Sequence, residues 1–416
     1  MPADVLRAAL EGEVIGPEDA GFDQSRKAFN AIVDARPAAI ARCASREDVV
    51  GTITVAAERG VAVAVRGGGT SDECTVDGGI QLDLAEIDAL EIDAPARIAR
   101  VGGGVTWGEL DEATQEHGLA VTGARLSGLG VAGVALGDGS GWLERALGPT
   151  AASVVGAELA LADGRVVDAA ADPELLWALR GAGTGLGVVT RLDLALHPVG
   201  PELVSGFLSF PRSRAAEVAR AYRDYMAPAP DQVGGGLVLG AGRGGACTIV
   251  FCYVGSVAGG EEAVAPLRAL GPSMDAVGLN PYRAFQRIWD ASNPPGARVR
   301  RARAFLRELS DDCIDAVIAR ADRPAASLSY AFLEPLGGAV ADRDDMALEI
   351  PDADWACHCV GLWPPVPALD HGQLAWVDGF AEALEPFALA AAHVGAASER
   401  RLAVKRRYDP RGVFGS

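Results

Sequence analysis

The sequence predicts an α+β protein in two parts, and three observations carry that reading. Residues 38–65 read as strand, helix, strand, and the second strand runs into Gly67-Gly68-Gly69. Glycine-rich stretches then recur as far as Gly187, with seven glycines between Gly123 and Gly141 alone. At His197-Pro-Val-Gly-Pro201 the chain breaks, and strands and helices without glycine fingerprints follow. At 416 residues the chain exceeds what one hydrophobic core ordinarily supports. The break is therefore expected to separate a first part, residues 1–200, from a second part, 201–384, built as an antiparallel sheet covered by helices.

Each element has a local reason. Val5 to Leu10 is a short amphipathic helix, and with the acidic loop after it and Gln24 to Asn30 it forms a cap on the first part. Ala38 to Ala41 is a short apolar strand. Ser45 caps a helix containing Val49 to Glu58, with Glu47 in its first turn and Gly60 as terminator. Val61–Val65 completes a β-α-β unit, whose crossover makes the strands parallel. Short strands follow at Gln81–Leu84, Leu90–Ile92 and Ile98–Val101. Thr106 and Glu109 have the spacing of a capping box for a helix that ends at Gly118. Asp163-Gly164 turns a hairpin between Val154–Leu161 and Val166–Asp168. Pro173 to Leu179 is helical, and the strand Val188–Leu196 ends the first part.

The second part has strands at Leu203–Phe210, Gly235–Leu239, Ala246–Tyr253, Leu328–Leu333, Ala347–Ile350 and Trp355–Leu362. Helices are expected at Ser213–Tyr225, Gly260–Leu270 and Gly372–Leu384, and the run Arg298-Val-Arg-Arg-Ala-Arg303 reads as a solvated helix face, with attraction of an anionic substrate as the alternative. A last segment, Ser398–Arg407 with Tyr408-Asp-Pro410, returns to the first part, so that 385–416 completes it.

Composition narrows the partners. The formal net charge of −19 opposes nucleic acid and anionic membrane surfaces, both of which need a basic face, and no apolar run is long enough to cross a bilayer. A small-molecule partner is favoured. The N-terminus carries no basic region followed by an apolar core, so no secretory signal is read there. Seven cysteines at irregular spacing suggest free thiols in a cytoplasmic protein.

Two stretches point to a ligand. In Val61-Ala-Val-Ala-Val-Arg-Gly-Gly-Gly-Thr-Ser71 three consecutive glycines remove every Cβ, so their N–H groups can converge on an anion such as a pyrophosphate, with Arg66 adding positive charge. A tight turn without ligand is the alternative. Between Gly123 and Gly141 there is so little side-chain volume that packed backbone or a flat ligand must fill the space.

Six blocks carry a family resemblance by their order. They are Arg66-Gly-Gly-Gly-Thr-Ser71, Asp77-Gly-Gly-Ile-Gln-Leu-Asp-Leu84, Val101-Gly-Gly-Gly-Val-Thr-Trp-Gly-Glu-Leu110, Gly130-Val-Ala-Gly-Val-Ala-Leu-Gly-Asp-Gly-Ser-Gly-Trp142, Leu176-Trp-Ala-Leu-Arg-Gly-Ala-Gly-Thr-Gly-Leu-Gly-Val-Val-Thr190, and Val404-Lys-Arg-Arg-Tyr-Asp-Pro410. The chain so read resembles flavoproteins with the vanillyl-alcohol-oxidase (PCMH-type) FAD domain, specifically the berberine-bridge-enzyme-like oxidoreductases. The resemblance implies an FAD-binding domain at 1–200 plus 385–416 and a substrate domain at 201–384. It implies FAD contacts from Arg66, Gly67, Gly68, Gly69, Thr70, Ser71, Gly128, Gly130, Val131, Gly133, Gly137, Asp138, Gly139, Gly141, Trp142, Gly187 and Val188.

Several positions depart from the family pattern. Family members often attach FAD covalently to a histidine and sometimes to a cysteine, and the matching positions here are Thr70 and Leu126, neither of which can form the bond. Noncovalent flavin is therefore expected. Asp138 interrupts a glycine run, Gly185 and Leu186 replace an asparagine and a phenylalanine, and Arg411-Gly-Val-Phe-Gly-Ser416 stands where the family has an asparagine–glutamine–asparagine tail. The expected function is an FAD-dependent oxidoreductase acting on a hydrophobic small molecule of secondary metabolism. The alternative is a flavin-independent enzyme that uses the same fold for a cyclisation or another non-redox step.

Such enzymes pair hydride transfer with removal of a proton, so a base is sought. The strand Trp355-Ala-Cys-His-Cys-Val-Gly-Leu-Trp363 resembles a family strand that faces the flavin; alternation puts His358 on one face and Cys357 and Cys359 on the other, which argues against a metal chelate. His393 falls where the family commonly has a tyrosine. Glu349, where the family has a proline before a histidine, is a third candidate. No metal is expected.

Overall fold

The computed structural model describes residues 2–323, 325–340, 345–349, 351–389 and 399–414. Ser45 accepts from the Asp48 N–H at the start of helix Arg46–Arg59, and Gly60 ends it at φ 62°, the left-handed geometry that glycine adopts without strain. The helix crosses from strand Ala39–Arg42 to strand Val63–Arg66. These strands are parallel but not adjacent: Ile80–Asp83 lies between them, parallel to both and buried at all four positions. The crossover thus leaves a slot that the next strand fills, and the short strand Val14–Ile15 closes the sheet on the Ala39–Arg42 side.

A second, five-stranded antiparallel sheet runs in the order Leu90–Asp93, Ile98–Gly102, Val188–Ala195, Val154–Ala160, Val166–Asp168. The capping box of Thr106 and Glu109 forms at the head of helix Trp107–Gln115. Trp107, Val131, Leu175 and Leu192 bury together in the core of this sheet, and so do Val404 and Tyr408 of the last helix, Glu399–Tyr408.

The third sheet has eight strands, and every pairing in it is antiparallel. From one edge, Met274–Asp275 and Gly278–Pro281 both pair with Glu202–Phe210, followed by Cys247–Tyr253, Val233–Gly240, Tyr330–Pro335, Trp355–Trp363 and Arg298–Leu306. Helices Ala215–Met226, Val257–Arg268, Asp311–Ala321 and Asp370–Leu384 cover one face, where Tyr222, Val264, Val317 and Phe380 meet Leu237, Leu333, Cys357 and Cys359. The opposite face is left to the site.

Two expectations are corrected here. The arginine run is no helix face but the edge strand Arg298–Leu306; its alternating charges suit an edge, because long charged side chains oppose further strand pairing. Residues 347–349 form no strand. Their backbone instead donates to loop carbonyls, Ala347 N to Trp177 O and Leu348 N to Arg180 O, and Ile350 lies outside the described residues.

Candidate active site

A cavity of about 610 Å³ lies between the glycine loops of the first two sheets and the open face of the third, a size that suits a cofactor or small ligand. On the loop side it is lined by Gly67, Gly68, Gly69, Thr70, Ser71, Gly130, Gly133, Gly137, Asp138, Gly139 and Gly187, with Leu126 and Phe414. Glycine is required where the loops cross: a Cβ on Gly68 would run into the Gly130 backbone, and one on Gly130 into Gly68. A Cβ on Gly133, by contrast, would meet no protein atom within 4 Å, so the missing side chain there leaves room for a ligand. Thr70 and Leu126 both face the cavity.

The opposite wall is the open face of the sheet. Alternation brings Tyr330, Phe332 and Glu334 onto one side of their strand, and the register sets Phe332 opposite His358 and Tyr330 opposite Val360. Trp289 packs on this wall, 5.1 Å from Phe332 and 5.6 Å from Tyr330 between ring centroids. Burial pushes the Tyr330 phenol above its ordinary pKa.

His358 Nε2 lies 2.7 Å from Glu334 Oε2. The other carboxylate oxygen accepts from Arg125 in a short ion pair. Arg125 also donates to Ser140 Oγ at 2.9 Å, and its guanidinium lies over the rings of Trp142 and Phe332 at 4.9 and 5.1 Å. Burial works against ionising Glu334, yet the Arg125 charge and the His358 hydrogen bond outweigh it and hold the carboxyl below its ordinary range. Nearby Glu144 goes the other way, raised by burial and by the Glu334 charge.

The structure separates the other expected residues. Cys357 and Cys359 point into the helical core, away from His358. Glu349 is exposed, 3.9 Å from Arg401, and does not line the cavity. His393 lies outside the described residues. Arg66 spends its guanidinium on the carbonyls of Ser25 and Lys27, at 3.0 and 2.8 Å, beside Asp83, so it does not reach into the cavity. Gly128, Val131, Gly141, Trp142 and Val188 are also absent from the lining. Val131 and Val188 are core residues, Gly141 packs against the Gly123 carbonyl, and Trp142 lies one layer behind, under Arg125. Asp138 lines the cavity but is ion-paired with Arg303, so its charge is balanced.

Sequence reasoning missed Arg125, Glu334 and Tyr330, all close to or lining this cavity, and it held the run containing Arg301, which also lines it, as a helix face with attraction of an anionic substrate only as the alternative. A signal existed for one of them: Glu334 is the lone charge in Tyr-Ala-Phe-Leu-Glu-Pro, an otherwise apolar strand.

FAD fits this residue set. One wall is bare backbone that admits a flat group closely, the other is aromatic, and the one carboxylate in the Gly137–Gly139 turn is neutralised. Comparison with known proteins agrees. Residues 37–170 match the FAD binding domain model. The chain is 32% identical to (R)-6-hydroxynicotine oxidase of Paenarthrobacter nicotinovorans over 283 residues, 66% of this chain and 62% of that enzyme, a little under two thirds of its length. The structure of 6-hydroxy-D-nicotine oxidase from Arthrobacter nicotinovorans superposes with a TM-score of 0.87 at 26% identity, covering 97% of this chain and 96% of that one. Berberine bridge enzyme from Eschscholzia californica shares the fold, with a TM-score of 0.89 at 18% identity over 100% of this chain and 98% of that one. The chain thus carries an FAD-binding domain within a fold that it shares with these enzymes, and FAD is its cofactor.

Proposed function

We propose that the protein holds FAD without a covalent bond and oxidises a small, largely apolar molecule in this cavity, with His358 removing a proton. Residues 1–200 and 385–416 form the FAD-holding part and 201–384 the substrate part. The seven cysteines, all free and buried, support a cytoplasmic setting. Among the described residues no helix is long and apolar enough to cross a membrane.

The observation that carries the proposal is the 2.7 Å contact between His358 Nε2 and Glu334 at the cavity wall. An ionised carboxylate only accepts, so Nε2 carries the hydrogen and Nδ1 keeps its lone pair as the basic atom. When Nδ1 takes a proton from a substrate O–H or N–H, the imidazolium that forms is stabilised by the Glu334 charge. Arg125 keeps Glu334 ionised and too weak a base to take that proton itself. Bound FAD supplies the hydride acceptor. Thr70 and Leu126, which line the cavity, cannot bond to it, and that supports release of intact flavin on denaturation.

The test is anaerobic bleaching of the flavin absorbance across a panel of small aromatic and heterocyclic alcohols and amines. His358→Ala is expected to slow bleaching by the best substrate roughly a hundredfold, with flavin content unchanged. An unchanged rate would remove His358 as the base. Conversion of a substrate by flavin-free protein would instead restore the non-redox alternative.

A further inference from the structure

We propose that the cavity selects substrates carrying an anionic group, a carboxylate on an apolar or aromatic body, and that Arg301 receives it. The inference rests on the reading of this cavity as the substrate site.

Four arginines lie on the edge strand between residues 298 and 303, and three of them have carboxylates. Arg298 makes two bonds to Asp370, at 2.7 and 2.6 Å. Arg300 lies 3.8 Å from Asp378, and Arg303 pairs with Asp138. Among the described residues the Arg301 guanidinium has no ion-pair or hydrogen-bond partner, and Arg301 alone of the four lines the cavity, alongside Asn293, Tyr330 and His358. In a chain with 56 acidic and 37 basic residues, a carboxylate partner is the ordinary fate of an arginine. An unpaired guanidinium facing a cavity is therefore a receptor for an anion brought from outside, and its planar fork matches a carboxylate.

The register sets the scale of the ligand. Arg301 stands opposite Val360, and Arg303 stands opposite His358, so Arg301 is two residues along the same face from the base, about 7 Å in strand rise. That separation suits one aromatic ring between an anionic group held at Arg301 and a hydroxyl facing His358. Of the carboxylates that share the cavity lining, Asp138 is occupied by Arg303, and Glu73 stands across on the glycine-loop side.

The test is equilibrium binding, read without turnover. FAD-loaded protein is titrated with 4-hydroxybenzoate and 4-hydroxyphenylacetate and with their amides, followed by the flavin spectrum and separately by tryptophan fluorescence, to which Trp289 on the wall contributes. The acids are expected to bind about tenfold or more tightly than the amides, the scale of one charge-assisted hydrogen bond. Added salt should narrow the difference, Arg301→Lys should keep part of it, and Arg301→Leu should abolish it. Equal binding of acids and amides, a preference that survives Arg301→Leu, or no binding of either acid by both readouts would each overturn the proposal. Because no step of this test needs proton removal, an active His358→Ala enzyme would sink the base assignment and leave the binding result standing.

Discussion

Replacing Glu334 with glutamine tests the centre of the site by removing one charge and almost no volume. The side chains of Glu334 and Arg125 are 5% and 11% exposed, so the pair is screened little by water. Removing one partner of a buried pair costs roughly 3–5 kcal/mol, chiefly because the other charge is left uncompensated. Here the Arg125 guanidinium keeps Ser140 Oγ, the Gly141 carbonyl and two aromatic faces, and the amide oxygen can still accept one bond. The low end is therefore expected, about 3 kcal/mol at neutral pH, or two decades in the unfolding equilibrium.

Spread over a chain of 416 residues, the same loss lowers Tm by only about 3–4 °C if the chain unfolds as one unit, so the midpoint in urea is the better measure. The sign with pH follows from linkage. Glu334 is held below the ordinary value of 4.5 for a glutamate in the folded state, so its contribution is present above that pH and is lost as pH falls through the folded value. The gap between wild type and Glu334→Gln should be full at pH 7 and close on acidification below about pH 4.5. Glu144 works against part of the loss, because removing the Glu334 charge removes one of the causes that raise its pKa. Identical urea midpoints at pH 7, or a gap that widens in acid, would refute the claim that Glu334 is ionised and anchors Arg125 and His358.

Two further outcomes are expected. Asp111, on helix Trp107–Gln115, is 2% exposed, and burial pushes its carboxyl up to about 8. A carboxyl with a raised folded pKa contributes stability that is full below its unfolded value and is lost as pH rises through the folded one. Asp111→Asn should therefore match wild type near pH 4 and become the more stable by about 1 kcal/mol or more at pH 9, measured by urea melts; a gap independent of pH would show that Asp111 does not carry this proton. Separately, acid precipitation should leave the yellow colour in the supernatant, and colour retained in the pellet would reveal a covalent bond that Thr70 and Leu126 cannot make.

What the sequence disclosed and what it hid divide along one physical line, the distance over which a residue's role is set. Caps, turns and strand alternation depend on neighbours a few residues away, so Ser45, Gly60, the Thr106–Glu109 box and the opposite facing of His358 and Cys357 were all legible. The glycine loops were legible for the same reason, since an absent Cβ is a local fact. The ion pair behind His358 joins Arg125 to a carboxylate 209 residues later, and no periodicity encodes that. Asp138 looked like an obstacle to a bound anion because its partner, Arg303, lies 165 residues on.

The arginine run failed for a different reason. Arg298-Val-Arg-Arg-Ala-Arg303 is too short and too charged for a period of 2 to stand out from 3.6, and only the antiparallel ladder with Trp355–Trp363 settles it as a strand. That ladder changes what the charges mean. On a solvated helix four arginines would be interchangeable, whereas on an edge strand successive side chains alternate between faces, so Arg300 and Arg301 meet different surroundings. Arg300 turns toward Asp378, and Arg301 faces the cavity. The residue on which substrate choice is argued was thus visible from the start as a letter, and acquired a role only when its face was fixed.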